Sequence, residues 1–270
     1  MKPSASERPD GADAHIEGES STNPVSVNQA ADLPDFPEVG RSLFHVKQQP
    51  LIARYANLLA SDGVIRGLVG PREVPRLWDR HILNCALLAE LLREDSTLVD
   101  IGTGAGLPGL VVAIARPDVE VTLLEPLLRR TTFLSEVVAE LGLDNVEVIR
   151  GRADDLHGRS TFDAVTSRAV APLPRLLEWS MPLVAQGGRL LALKGSNVNE
   201  ELSGVSTLLR AAGCADPVVH DLGGTGGLST THVLEVAWAG PRSVDWPPTR
   251  KFSGPGVRGR TSRRGSSQRQ

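Results

Sequence analysis

Residues 98–110, LVDIGTGAGLPGL, restrict the fold of this chain more than any other stretch. Apolar residues on both sides of Asp100 read as a strand, Gly102, Gly104, Gly106 and Gly109 follow, and a helical run begins at about Leu107. Glycine takes a positive φ without steric penalty and lets a ligand approach the backbone, so strand, tight glycine turn and helix read together as a ligand-binding loop. Two registers are superimposed in it. Counted from Gly104, the glycines at 104, 106 and 109 form G-x-G-x-x-G, the dinucleotide fingerprint. Counted from Asp100, an acid precedes Gly102, Gly104 and Gly106 in the D-x-G-x-G-x-G pattern typical of S-adenosylmethionine pockets.

The segments that follow place this loop in an α/β architecture. Strand-like runs TLVDIG, VEVTLLE, VEVIRG, FDAVTSR and GRLLALKG are separated by helical patterns. One of these carries Leu127, Leu134, Val138 and Leu141; others lie near 174–184 and 199–212. Strands spaced by helices predict a Rossmann-like, doubly wound, mostly parallel sheet with right-handed crossovers and helices on both faces. The late strands PVVHDL and THVLEVAW, joined by the glycine-rich LGGTGGLST, predict an antiparallel edge. Ahead of the sheet, apolar residues recur at helical spacing from Val46 to Leu59 and from Arg80 to Leu92. The resulting division is a disordered, mostly acidic tail over 1–40, a helical extension over 41–95, the sheet domain over 96–240 and a disordered basic tail over 241–270.

With 40% hydrophobic and 23% charged residues in 270, the composition is that of an ordinary soluble protein, and only 4% aromatic residues means an aliphatic core. No basic segment leads into an apolar stretch at the N-terminus, and no uninterrupted apolar run is long enough to span a bilayer. The expectation is a cytoplasmic monomer without a membrane segment. Cys85 and Cys214 stand far apart with no CxxC or Cys/His spacing, which argues against a metal site and against disulfides. The net charge of −3 hides an asymmetry, because residues 250–270 carry Arg250, Lys251, Arg258, Arg260, Arg263, Arg264 and Arg269 and no acid. Such a tail either binds phosphates with a steep salt dependence or only aids solubility.

Acids at three strand ends bear on which register of the loop is used. A carboxylate at Asp100 suits the cationic amino-acid end of S-adenosylmethionine and repels a pyrophosphate; its structural alternative is a cap on the turn or the following helix. Glu125 ends the second strand, where an acid accepts bonds from ribose hydroxyls in either cofactor class. Asp154, after the third strand in VIRGRADDL, with the Ala153 backbone beside it, suits an adenine edge; standing alone it would read as a solvated loop acid. The three together favour S-adenosylmethionine.

The stretches RHILN (80–84), VDIGTGAGLPGL (99–110), LLEPLLRRTTFL (123–134), SRAVAPL (167–173) and LALKG (191–195) together resemble the ribosomal RNA small subunit methyltransferase G family, also called the glucose-inhibited division protein B family. The resemblance is strong over residues 45–195 and weaker to 238. It implies a class I S-adenosylmethionine-dependent methyltransferase fold with an N-terminal helical extension. The implied activity is methylation of N7 of one guanine in the 530 loop of bacterial 16S rRNA, as free RNA or in the small ribosomal subunit, with S-adenosylhomocysteine as by-product and no metal. Carried over by motif, cofactor contacts fall on Gly102 and Leu107, on Ala153 and Asp154, and on Arg168. Asp100, Gly104 and Glu125 join them from the pattern of the loop and strand ends. Glu125 stands where related sequences often have Asp, and Ala105 where a proline is common.

Guanine N7 has a free lone pair and no proton to lose, so transfer to it needs alignment more than a general base. The sequence has no NPPY-like tetrapeptide for an exocyclic amine and no cysteine placed for attack on a pyrimidine. Cations on the rim are then expected to meet phosphates and O6. Arg168 and Lys194 are the candidate catalytic groups, and Arg80, His81, Arg129, Arg130 and Lys194 the candidate RNA contacts. Arg129 and Arg130 read equally well as a solvated helix face, and His81 as a structural histidine. Two other readings remain: a noncatalytic RNA-binding protein on the same fold, and a nicotinamide-dependent oxidoreductase, which Asp100 and the lack of a catalytic His/Lys/Tyr set disfavour.

Overall fold

The computed structural model of the chain describes residues 33–240 and Trp246. Residues 1–32 of the expected acidic tail, and the expected basic tail apart from Trp246, lie outside the described residues. The tail boundary expected at residue 40 falls within packed structure. Phe36 meets Trp78 and Phe44 edge-on at centroid distances of 5.2 and 6.5 Å, and the Trp78 indole N–H donates to the Pro34 carbonyl at 2.8 Å. The tail as a whole is polar by composition, but Leu33, the half-buried Phe36 and Val39 pack its last residues against the core.

Helix α1 (Gln49–Leu58) runs on into a π-type turn at Leu59–Gly63. A 3₁₀ turn (Pro71–Arg76), a second π-type turn (Leu77–Ile82), the short α2 (Leu83–Ala86) and another 3₁₀ turn (Leu87–Leu91) complete the extension. The residues expected to be helical largely are, but their hydrogen bonding changes from turn to turn. Pro71 and Pro75 lack the N–H that a regular helix needs, and Gly67 takes φ 64 between the two halves.

The sheet domain then reads β1 (Thr97–Ile101), α3 (Gly109–Ala115), β2 (Glu120–Leu124), α4 (Leu128–Leu141), β3 (Val146–Ile149), α5 (Ala153–Leu156) and β4 (Phe162–Arg168). It continues through α6 (Leu173–Ser180), β5 (Val184–Lys194), α7 (Val198–Ser203), α8 (Ser206–Ala211), β6 (Val218–Leu222) and β7 (Thr231–Ala237). Helix α4 shows how the sequence ends an element: Gly142 takes φ 63, and the Leu143 N–H closes onto the Val138 carbonyl at 3.1 Å. The single helix expected over 199–212 is two, because Val205 leaves helical geometry at φ −116 directly after Gly204.

Among the described residues the strands form one seven-stranded sheet in the order β3-β2-β1-β4-β5-β7-β6. The first five are parallel, and β7 is antiparallel to both β5 and β6. This is the doubly wound class I methyltransferase fold with its antiparallel edge. The chain moves outward from β1 to β3 and then returns to β4, so β1 and β4 flank the switch point where open α/β sheets bind ligands beyond the carboxyl ends of their strands.

Alternation along the strands divides two cores. Leu98, Val121, Leu123, Ala164, Leu191 and Val233 point to the face covered by α1, α3, α4 and the N-terminal extension. Val99, Leu124, Val165, Leu190, Ala192 and Leu234 point to the face covered by α6 and α8. Asp100 shares the parity of Leu98, and Arg168 that of Ala164, so both are turned toward the N-terminal extension. That placement decides their partners.

Candidate functional site

The glycine loop is tied down from three sides. Behind it, Asp100 is wholly buried, and its Oδ2 accepts from Thr103 Oγ1 at 2.5 Å and from the Gly109 N–H at 2.8 Å. In front, Glu125, 1% exposed, accepts from the Gly104 N–H at 3.1 Å and, through its other oxygen, from the Leu127 N–H at 3.1 Å. From the extension, the Tyr55 hydroxyl donates to the Ala105 carbonyl at 2.8 Å. Burial holds the Tyr55 phenol well above its ordinary 10.0, so this donor keeps its proton. Tyr55 is the chain's single tyrosine, and nothing local in the sequence marks it as part of the loop.

Asp100 accordingly acts as the cap, and it does not line the cavity in front of the loop. Burial raises its carboxyl to about 6, against the opposing bonds from Thr103 and Gly109. Its Oδ1 is buried and has no hydrogen-bond partner among the described residues. The fingerprint glycine Gly109 serves packing: a Cβ there would lie 2.4 Å from Leu123 Cδ2 and 2.9 Å from Asp100 Oδ2. Two donors at the start of α3 are already spent, Gly109 on Asp100 and the Leu110 N–H on the Gly106 carbonyl at 2.8 Å. A pyrophosphate held in the dinucleotide manner needs such N–H groups free. The helix expected from Leu107 starts later, at Gly109, because Gly106 takes φ 101 just ahead of it.

A cavity of ≈ 640 Å³ opens over the carboxyl ends of β1, β2 and β4. Its walls include Gly102, Gly104, Leu107, Glu125, Ala153, Asp154 and Arg168, the expected cofactor contacts other than Asp100. Arg130 lines it too, with its guanidinium 3.3 Å from Glu125 Oε2. Arg129, one position away, is exposed on α4 and is not part of the lining. A Cβ on Gly102, at φ 67, would come within 2.8 Å of Val170 Cγ1, so the loop and the segment after β4 approach as closely as only glycine allows.

Arg168, Ala169 and Val170 form a shared wall between this cavity and a second one of ≈ 390 Å³ over β4, β5 and β7. Arg168 is held from behind. Its Nη1 lies 3.0 Å from His81 Nδ1, and His81 Nε2 lies 3.0 Å from Glu73 Oε2. A guanidinium only donates, so Nδ1 accepts and the single ring proton of a neutral His81 sits on Nε2, donating to Glu73. Burial first, and the Arg168 charge second, lower the His81 pKa, and the bond from His81 lowers that of Glu73. His81 thus lines neither cavity and stands behind Arg168. Sequence reasoning placed His81 but missed Glu73, which lies on the proline-interrupted turn.

Arg80 and Lys194 line the second cavity and are absent from the first. Lys194, at the end of β5, is largely buried and pairs with Glu201 of α7 at 2.6 Å. Both cysteine thiols are pushed up to about 11 by burial, so neither is a thiolate at neutral pH. Among the described residues no group of three His, Cys, Asp or Glu side chains could hold a metal, and no helix is long and apolar enough to cross a membrane.

A sequence model described as rRNA small subunit methyltransferase G matches residues 48–225. The Ribosomal RNA small subunit methyltransferase G of Nocardioides sp. is 57% identical over 233 residues, covering 86% of this chain and 92% of the relative. That of Streptomyces avermitilis is 52% identical over 198 residues, or 73% of this chain and 83% of the relative. Among solved structures, a SAM-dependent O-methyltransferase from Thermotoga maritima has a TM-score of 0.47 at 16% identity, over 62% of this chain and 70% of that one.

Proposed function

The chain belongs to the rRNA small subunit methyltransferase G family, and from that premise we propose that it transfers a methyl group from S-adenosylmethionine to N7 of a guanine in the 530 loop of bacterial 16S rRNA. The observation that carries the choice of cofactor is the Asp100 carboxylate seated on the Gly109 N–H. It occupies a helix-start N–H that a pyrophosphate would need, and the cavity in front of the loop is flanked by the acids Glu125 and Asp154, which suits a phosphate-free, cationic ligand.

The residues of the first cavity then divide the work of binding. Gly102, Gly104 and Leu107 present the glycine-loop surface to the amino-acid end and sulfonium. Glu125 takes the ribose hydroxyls: an ionised carboxylate has about four acceptor sites, and a shift of Arg130, its longest contact at 3.3 Å, frees a further one. Ala153 and Asp154 meet the adenine edge. Asp100 acts through the loop it braces.

S-adenosylmethionine supplies an electrophilic methyl group on a cationic sulfur. Since N7 has no proton to lose, the chain's task is to align the acceptor and keep water out. Arg168, on the wall between the cavities, is positioned to orient the acceptor, with its own direction fixed by the neutral His81 and Glu73. Positive charge passes to the purine during transfer, so the Arg168 guanidinium belongs at O6 or a phosphate and away from the ring face. The substrate is the 16S rRNA or the small subunit in the cytoplasm, and the enzyme acts as a monomer.

The test is methyl transfer from labelled S-adenosylmethionine to small subunits from cells lacking this protein, followed by mapping of the label. Label on N7 of a guanine in the 530 loop is the expected result. Tight cofactor binding with no transfer to any small-subunit RNA overturns the assignment in favour of a noncatalytic RNA-binding protein.

A further inference from the structure

The second cavity contributes nothing to the walls of the first beyond the shared segment 168–170, and its polar groups match one kind of ligand edge. Arg168 ends β4 nearest the first cavity; Lys194 ends β5 one strand further along; Thr231 begins β7, whose His232 pairs with Lys194. Above them α7 brings Glu201 onto Lys194 at 2.6 Å. Moving away from the first cavity, a ligand would therefore meet a guanidinium and then an adjoining ammonium and carboxylate. Two further atoms on residues of this lining, Asn84 Oδ1 and Thr231 Oγ1, are buried and have no hydrogen-bond partner among the described residues.

We propose that this cavity receives the acceptor guanine with its N1–H and N2–H₂ on the Glu201 carboxylate and its O6 on the Lys194 ammonium. The inference rests on the N7-guanine reading above. In guanine, O6 adjoins N1 on one edge and N7 on the other. Anchoring N1, N2 and O6 at the far end of the cavity leaves N7 facing Arg168 and the methyl donor. A carboxylate accepts through both oxygens, and Lys194 occupies only one of them. Adenine is refused by the same pair: its N1 lone pair would face the Glu201 carboxylate, and its N6 amino group the Lys194 ammonium. Glu201 and Lys194 are thus specificity residues for the acceptor, and neither accepts a proton in the reaction.

The experiment uses the full chain on small subunits reconstituted with 16S rRNA bearing guanosine, inosine or adenosine at the modified position. Inosine retains N7, O6 and N1–H but lacks the N2 amino group. The wild type should show kcat/KM about 10-fold or more lower on inosine than on guanosine, and no transfer to adenosine. In Glu201→Gln the guanosine-to-inosine ratio should fall toward one, with S-adenosylmethionine affinity by calorimetry unchanged. If that variant does not fold, Lys194→Met should lower kcat/KM on guanosine about 10-fold, again at unchanged cofactor affinity. Equal wild-type rates on guanosine and inosine, or an unaltered ratio in folded Glu201→Gln, overturn the proposal. Failure of the wild type to methylate guanosine at all is a different result, which overturns the functional reading itself.

Discussion

The first cavity takes its floor from the glycine loop and the end of β2, with Arg168 and Trp179 closing it from β4 and α6, whereas the second is built from side chains drawn from five separate places. Gly102, Gly104, Leu107 and Glu125 reach the first cavity from one β-α-β unit, and its shape depends on Gly102, where a Cβ would meet Val170. Arg80 and Asn84 in the extension, Arg168 on β4, Lys194 on β5, Glu201 on α7 and Thr231 on β7 reach the second only because the sheet and the extension bring them together. A cofactor common to many enzymes can be held by a local, rigid motif; selection of one acceptor base calls for groups that converge from the whole fold. Between the two stands Arg168, which takes its orientation from neither cavity.

The sharpest way to break the contrast is Gly106→Ala. The new Cβ would sit 2.4 Å from Leu110 Cδ1 and 2.9 Å from the Tyr55 hydroxyl, at φ 101. Overpacking and the left-handed backbone together cost about 2–5 kcal/mol, read by urea unfolding, and cofactor binding by calorimetry should be lost. Asp100→Ala comes next. Removing the buried acceptor of the Gly109 and Thr103 bonds should weaken S-adenosylmethionine binding roughly 10- to 100-fold in a protein that still folds; an unchanged affinity would detach Asp100 from the site.

Asp100 also has a pH signature. Its carboxyl is raised to about 6, so the stability it lends is present below its ordinary 3.8 and is lost as pH rises through about 6, where charge is forced into the buried site. Asp100→Asn should erase that slope in denaturation curves.

His81 has the opposite sign. Its pKa lies below the ordinary 6.5, so the unfolded chain takes up a proton that the folded chain resists, and the contribution is full above that value and declines as pH falls. Protonated Nδ1 can no longer accept from Arg168, although Glu73, Arg80 and Arg168 still surround the ring. The acid limb of kcat/KM should drop on the order of 10-fold and flatten in His81→Gln, with cofactor affinity little changed. A limb that is identical in the variant would leave His81 with no part in positioning Arg168. The smallest effect is expected from Tyr55→Phe, about 0.5–1.5 kcal/mol of stability from the lost bond to the Ala105 carbonyl.

The fold was legible because period-two strands and helical spacing are local signals, and the glycine loop announces itself by composition. Where local signals misled, the cause lies in the third dimension or in a single residue. Pro71 and Pro75 alter the turns of the extension, Val205 splits the helix after β5, and Phe36 packs a segment that reads as a tail. Glu125, Ala153 and Asp154 lie where strand ends predicted them. Arg129 and Arg130 are adjacent in sequence, and only helix phase puts one in the lining and leaves the other in solvent.

The sequence alone settled the ligand loop, the order of strands and helices, and the family to which five ordered motifs point. It could not reveal that Asp100 faces backward onto α3, that Tyr55 and Glu73 brace the site from the extension, or that Lys194 turns to Glu201 rather than to the first cavity. A strand's parity and a loop's φ angles are fixed within a few residues, so they can be read along the chain. The partner of a buried charge is whichever opposite group the packed fold carries to it, and only the tertiary structure decides that.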